Sequence, residues 1–209
     1  MASFNNHIFI FISYAHADNR SGWVDAFHTS LENWLGVLGV KARIWRDQKL
    51  QGADVFSGEI LDQLKQSTLL VSILSPNGML SRWCEKERQK FEQYADANGG
   101  FRIGNVVRAL KVVMTPADRD AHQPIFDTLG YEFFEKNPHS GRYDHYLPLD
   151  AKFEKQIDRL AQDIKAVLQT LASAVPQPAK PAVYVAEVSS DLDRTGPRSS
   201  TNCMPGGIV

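Results

Sequence analysis

Residues 81–91, SRWCEKERQKF, place a carboxylate where the pattern of its neighbours calls for an apolar side chain. Read as a helix, Trp83, Glu87, Phe91 and Tyr94 recur at steps of four, four and three, the spacing of one helical face. Three of them are large aromatics suited to burial; the fourth is Glu87. A carboxylate against a low-dielectric wall costs stability unless it has partners or chemical work, and active sites draw on acidity shifted by such burial. Glu85 and Glu92 fall off the stripe and read as solvated charges. The helix alone favours the plainer reading, in which Glu87 sits at the stripe edge, reaching solvent or pairing with Arg88 or Lys90.

Several other chemistries lack their residues. No glycine-rich G-x-G-x-x-G turn and no Walker A lysine loop occurs, so the usual backbone cradles for pyrophosphate are missing. His7, His16, His28, His122, His139 and His145 do not pair at metal-binding spacing, and no metal site is expected. No G-x-S-x-G elbow appears, and Cys84 has no base nearby in sequence. A phosphoacceptor receiver would need carboxylates at the ends of its first and third strands. Those ends carry Ser13-Tyr14 and Ser75-Pro76 instead.

The elements that must position Glu87 alternate along the chain. Residues 7–13 (HIFIFIS) form a continuous apolar run, as expected of a strand buried on both faces. Trp23, Phe27, Leu31, Trp34 and Leu38 keep helical spacing over 22–38, with Gly39 at the C-cap. A less buried strand follows over 40–45, then a helix with Phe56, Ile60, Leu61 and Leu64 on one face. Residues 68–74 (TLLVSIL) are the most strand-like run and stop at Ser75-Pro76-Asn77-Gly78, read as a turn. The Trp83 helix ends at Asn98-Gly99-Gly100. A fourth strand is expected over 109–114, a short fifth over 131–135, a loop over 137–149, and a closing amphipathic helix from Phe153 to Leu171.

Such alternation predicts an α/β fold, a flavodoxin-like three-layer sandwich around a five-stranded parallel sheet. In that layout ligands bind beyond the carboxyl ends of the strands, and a 2-1-3 order puts the crevice between the first and third. The loops 13–20, 46–53 and 75–82 converge there, the last running straight into the Trp83 helix. This placement favours a functional Glu87 over the stripe-edge reading.

Three motifs at these strand ends, FISYAHAD, WRDQKLQGAD and ILSPNGMLSRWCEKE, resemble those of the TIR (Toll/interleukin-1 receptor) domain in its bacterial, NAD-cleaving branch. The resemblance covers residues 6–171. In that family a W-C-x-x-E pattern, here Trp83, Cys84 and Glu87, supplies a glutamate essential for cleaving the nicotinamide–ribose bond of NAD+. The resemblance therefore implies a catalytic Glu87 and substrate contacts from Ser13, Tyr14 and Ala15, from Asp47, Lys49 and Leu50, and from Trp83. It implies NAD+ as substrate rather than cofactor, products of nicotinamide and linear or cyclic ADP-ribose, and a role in bacterial anti-phage defence. It also implies self-association through TIR–TIR contacts. Some non-enzymatic adaptors in the family keep this glutamate, so an adaptor acting only through such contacts is the alternative. For Ser13 a strand-end turn, and for Asp47 a loop cap, are equally open readings.

The 209 residues are 43% hydrophobic and 22% charged with a formal net charge of −1, which gives no electrostatic case for nucleic acid or an anionic membrane. No apolar run approaches a membrane span, and the two cysteines, Cys84 and Cys203, fit a reducing cytoplasm. The expected organisation is a TIR domain over 1–173, a Pro-rich linker over 174–182, and a disordered remnant or start of a second domain over 183–209. A second domain or partner protein would supply the trigger.

Overall fold

The computed structural model describes residues 8–47, 58–116 and 130–174. Strand β1 (Ile8–Ser13) leads through a short 3-10 turn (His16–Asn19) into α1 (Trp23–Val37), then β2 (Ala42–Arg46) and α2 (Gly58–Gln66). Strand β3 (Leu69–Leu74) is followed by α3 (Pro76–Leu80) and α4 (Arg82–Ala97). After the hairpin β4 (Arg102–Ile103) and β5 (Val106–Val107) come β6 (Ala109–Val113), β7 (Gly130–Glu132), the hairpin β8 (Phe134–Lys136) and β9 (Tyr143–His145), and α5 (Ala151–Ala174). The main sheet has five strands in the order β2-β1-β3-β6-β7, and every pairing in it is parallel. From the β2 edge its first three strands run in the 2-1-3 order that places a crevice between β1 and β3.

Each face of the sheet carries its own apolar layer. Ile10, Ile12, Val71, Ile73 and Val112 pack with Val24, Phe27 and Leu31 of α1 and with Phe153, Ile157 and Ile164 of α5. Phe11, Leu70 and Ala109 pack on the opposite layer with Ile60 and Leu64 of α2 and Phe91 and Ala95 of α4. The split follows from strand geometry, in which successive side chains point to opposite faces. The three-layer α/β sandwich is thus the observed fold. All six residues of β3 are buried, as a central parallel strand requires.

Two expectations need correction. Ser75-Pro76-Asn77-Gly78 is the start of α3 rather than a free-standing turn: Ser75 caps it by accepting from the Gly78 N–H, with Pro76 at the first helical position. A Cβ on Gly78 would lie 3.2 Å from the Ile73 carbonyl oxygen, so this turn is seated tightly on the end of β3. The stretch 137–149, expected as a loop, contains β9, paired antiparallel with β8. The expected linker and final strand beyond residue 174, Phe56 of α2's expected face, and His7 fall outside the described residues.

Candidate active site

Glu87 lies in the second turn of α4, and strand register carries Ser13 to it. Phe11 faces the α2/α4 layer, so Ser13, two residues on, faces it too. Ser13 Oγ donates to Glu87 Oε2 at 2.5 Å, and the two residues are 2% and 5% exposed. Ser72 of β3 is Ser13's register partner and is also buried. The stripe-edge reading of Glu87 fails in its solvent-reaching and Lys90-paired forms. Its carboxyl does not reach solvent, and Lys90 turns away to bond Gln93 Oε1 at 3.0 Å.

Burial is the largest influence on the Glu87 carboxyl and pushes it up to about 8; the Ser13 hydroxyl opposes this and the charge of Asp47 adds to it. Near neutral pH the carboxyl is therefore mostly in its acid form. Cys84, one turn earlier, is pushed up to about 11, chiefly by burial and then by the charge of Glu87. It remains a thiol and is a poor nucleophile.

The buried stripe of α4 runs through Glu87, Arg88, Phe91 and Ala95, so its centre is displaced from the expected Trp83–Tyr94 line. Trp83 and Tyr94 flank it, half-buried. Trp83 stands at the helix start with the Lys86 ammonium 5.0 Å from its ring centre.

Tyr14 continues from Ser13 and joins the ends of β1 and β2. Its hydroxyl donates to the Asp47 carbonyl at 2.7 Å, and its ring stacks on His16 with centroids 5.2 Å apart. The Arg46 guanidinium lies 5.9 Å from the Tyr14 ring centre, donates from Nε to His28 Nδ1 at 3.0 Å and pairs with Asp25. Burial and then the Arg46 charge hold His28 below its usual range, which keeps its ring neutral and able to accept that bond. Tyr14, His16, Asn19, Arg20, Asp25 and Arg46 line an open, polar cleft of about 310 Å³. Ala15 is buried and its carbonyl accepts the Asp18 N–H at 2.8 Å.

Of the expected site residues, Ser13, Tyr14, Ala15, Asp47 and Glu87 gather at the ends of β1 and β2 and the start of α4, with Trp83 on its flank. Lys49 and Leu50 lie outside the described residues. Sequence reasoning passed over Asp18 and Ser75. Asp18 accepts hydrogen bonds from Ser75 Oγ and, at 2.8 Å, from Asn77 Nδ2, joining the loop after β1 to the start of α3. Both lie inside the motifs FISYAHAD and ILSPNGMLSRWCEKE, but nothing local in the sequence shows that they meet. Among the described residues no group of three or more His, Cys, Asp or Glu side chains could hold a metal, and no helix is long and apolar enough to cross a membrane.

In chemical terms the arrangement is a carboxyl held by a hydroxyl in a dry wall. Ionised in such a place, a carboxylate stabilises a neighbouring cation far more than it would in water.

The chain is similar to a structure of the TIR domains of the activated Roq1 resistosome recognising the pathogen effector XopQ, at 17% identity and a TM-score of 0.47, over 75% of this chain and 99% of that one. It is also similar to a diflavin flavoprotein A3 from Nostoc sp., at 12% identity and a TM-score of 0.45, over 80% of this chain and 96% of that one. A search of curated proteins returned no match. A family model described as TIR domain matches residues 10–160, from β1 into α5 and across every described residue of the site. The chain belongs to the TIR domain family.

Proposed function

We propose that the protein is an NAD+ glycohydrolase that cleaves the nicotinamide–ribose bond, with Glu87 as its catalytic carboxylate. The observation that carries this reading is a glutamate 5% exposed, oriented by Ser13 at 2.5 Å, at the carboxyl edge of a parallel sheet. One carboxylate suffices for this substrate. Nicotinamide is attached as a pyridinium and leaves with the bonding electron pair as a neutral molecule, so no acid need protonate it. Positive charge develops on the ribose as an oxocarbenium ion, and an ionised Glu87 stabilises it. Water then adds to the anomeric carbon and loses a proton, giving ADP-ribose; capture by the adenine of the same molecule gives a cyclic form.

A Glu87 held mostly in its acid form fits a cationic substrate. An approaching pyridinium favours the carboxylate, so the proton departs as the ring enters. The open cleft lined by Tyr14, Arg20 and Arg46 lies beside the β1 end and suits the charged diphosphate side of the dinucleotide. On this reading the protein acts in bacterial cytoplasm as a defence effector that depletes NAD+.

The test is incubation of the purified chain with NAD+ and separation of the products by chromatography, with Glu87→Gln beside it. Turnover should fall on the order of a hundredfold or more in the variant, as on loss of one preorganised electrostatic group. Glu85→Gln, on the exposed face where Glu85 only accepts from Gln89, should behave like wild type. Undiminished cleavage by folded Glu87→Gln would falsify the catalytic assignment and leave the adaptor reading in front.

A further inference from the structure

We infer that Asp18 is a positioning residue for Glu87: a buried carboxylate clamp that fixes the start of α3, and through it the first turns of α4, against the end of β1. The inference rests on the glycohydrolase reading for its catalytic consequence and on geometry for the clamp itself.

Asp18 is 8% exposed although it sits in the loop that leaves the sheet. Its own N–H donates to Ala15, which closes the turn after β1 and aims the side chain across the crevice. There both carboxylate oxygens are used: Oδ2 accepts from Ser75 Oγ and Oδ1 from Asn77 Nδ2. A carboxylate withdrawn this far from water is tolerated because both oxygens are bonded, and each bond to a charged acceptor is stronger than a neutral one.

Ser75 makes the clamp directional. It is 2% exposed, donates to Asp18 and accepts from the Gly78 N–H, so the bond that anchors α3 to the first loop also shapes its first turn. No loop separates α3 from α4. Ser81 ends the one and caps the other, accepting from the Cys84 N–H at 3.3 Å. Rigid seating at Gly78 and a shared capping residue therefore pass the position fixed by Asp18 to the turn that carries Glu87. The Ser13–Glu87 bond ties the end of β1 to α4 directly. Asp18 thus holds the loop after β1 to α3, and Ser13 holds β1 itself to α4.

The experiment compares the full chain with Asp18→Asn, Asn77→Ala and Ser75→Ala by amide hydrogen exchange and by NAD+ kinetics. Asp18→Asn replaces one acceptor oxygen by an NH2 group and so loses one of the two bonds at nearly constant shape. Exchange over residues 75–84 should rise about tenfold while β1, β3 and α5 keep their protection. In the same variants kcat should fall roughly 10-fold to 100-fold with KM within about threefold, the signature of a displaced group rather than a lost substrate contact. Unchanged exchange over 75–84, or a rise shared equally by the whole domain, overturns the clamp. Should Asp18→Asn fail to fold, Asn77→Ala removes one bond from the partly buried side and carries the same comparison. A native protein inactive on NAD+ would sink the glycohydrolase reading, whereas the exchange pattern would still decide the clamp.

Discussion

Ser13 has one measurable task, and it lies in the acidity of Glu87. Its hydroxyl is the group that lowers the Glu87 carboxyl against burial and the Asp47 charge, which together push it up to about 8. For wild type, kcat/KM for NAD+ should rise with pH and level off above about 8, because kcat/KM reports the free enzyme and the ionised form is the active one. Ser13→Ala removes a hydrogen bond that favours the charged form, so the rising limb should move to higher pH and activity at pH 7 should fall on the order of tenfold. A pH profile that keeps its midpoint in Ser13→Ala would show that the hydroxyl does not tune Glu87. Stability gives an independent reading. The folded protein holds this proton to about 8 and the unfolded chain releases it near 4.5, so between those values the folded state binds more protons and stability falls as pH rises. Glu87→Gln removes that fall. The variant should match wild type below about pH 4.5 and exceed it in melting temperature by a widening margin up to about pH 8.

At the scale of elements, the end of α4 is held by a residue with no periodic signature. Arg108 is 5% exposed, and its guanidinium donates to the Thr68 carbonyl at 2.9 Å, Ser67 at 3.3 Å, Asn98 at 3.2 Å and Gly100 at 3.4 Å. One cation thus satisfies carbonyls from the chain leaving α2 and from the end of α4, while its face lies 5.8 Å from the Phe91 ring centre. Because α2 and α4 form the layer in which Glu87 is buried, Arg108 also braces the site from behind. Arg108→Ala should cost on the order of 3 kcal/mol in urea unfolding, since several buried acceptors lose their donor together. Arg108→Lys should recover less than half, because an ammonium cannot span both groups of carbonyls. Equal stability of the lysine variant and wild type would show that the fork geometry is immaterial. The short hairpins on either side of β6 escaped a reading from sequence for a related reason. Strands of two and three residues are too short to display alternation, and their pairing depends on neighbours they meet only in the fold.

For the whole molecule, the polar cleft beside Tyr14 is open, and the sequence contains no glycine-rich cradle for a diphosphate. On the glycohydrolase reading a single copy would enclose only part of a dinucleotide, and TIR–TIR association would complete the enclosure. Specific activity should rise with protein concentration and with molecular crowding agents, then saturate. A flat response across a hundredfold range, about the span over which a weak association fills, would count against a shared site.

Local features of the sequence determined the layers, the strand ends and the oddity of Glu87. Periods of two and of about 3.6, turn residues and a misplaced charge are written within a few neighbouring positions, where a sequence can be read. The five-stranded parallel sheet followed from that pattern and is present, with its first strands in the order β2-β1-β3. Tertiary structure alone decided that the carboxyl is buried rather than at the stripe edge, and what it touches. Ser13 and Glu87 stand 74 positions apart, and Asp18 and Ser75 57 apart. Parallel strands bring their carboxyl ends to one edge of the sheet, but which hydroxyl meets which carboxylate depends on register and helix rotation. A one-residue slip of β1 would turn Ser13 to the α1/α5 layer and leave Glu87 without its hydroxyl donor.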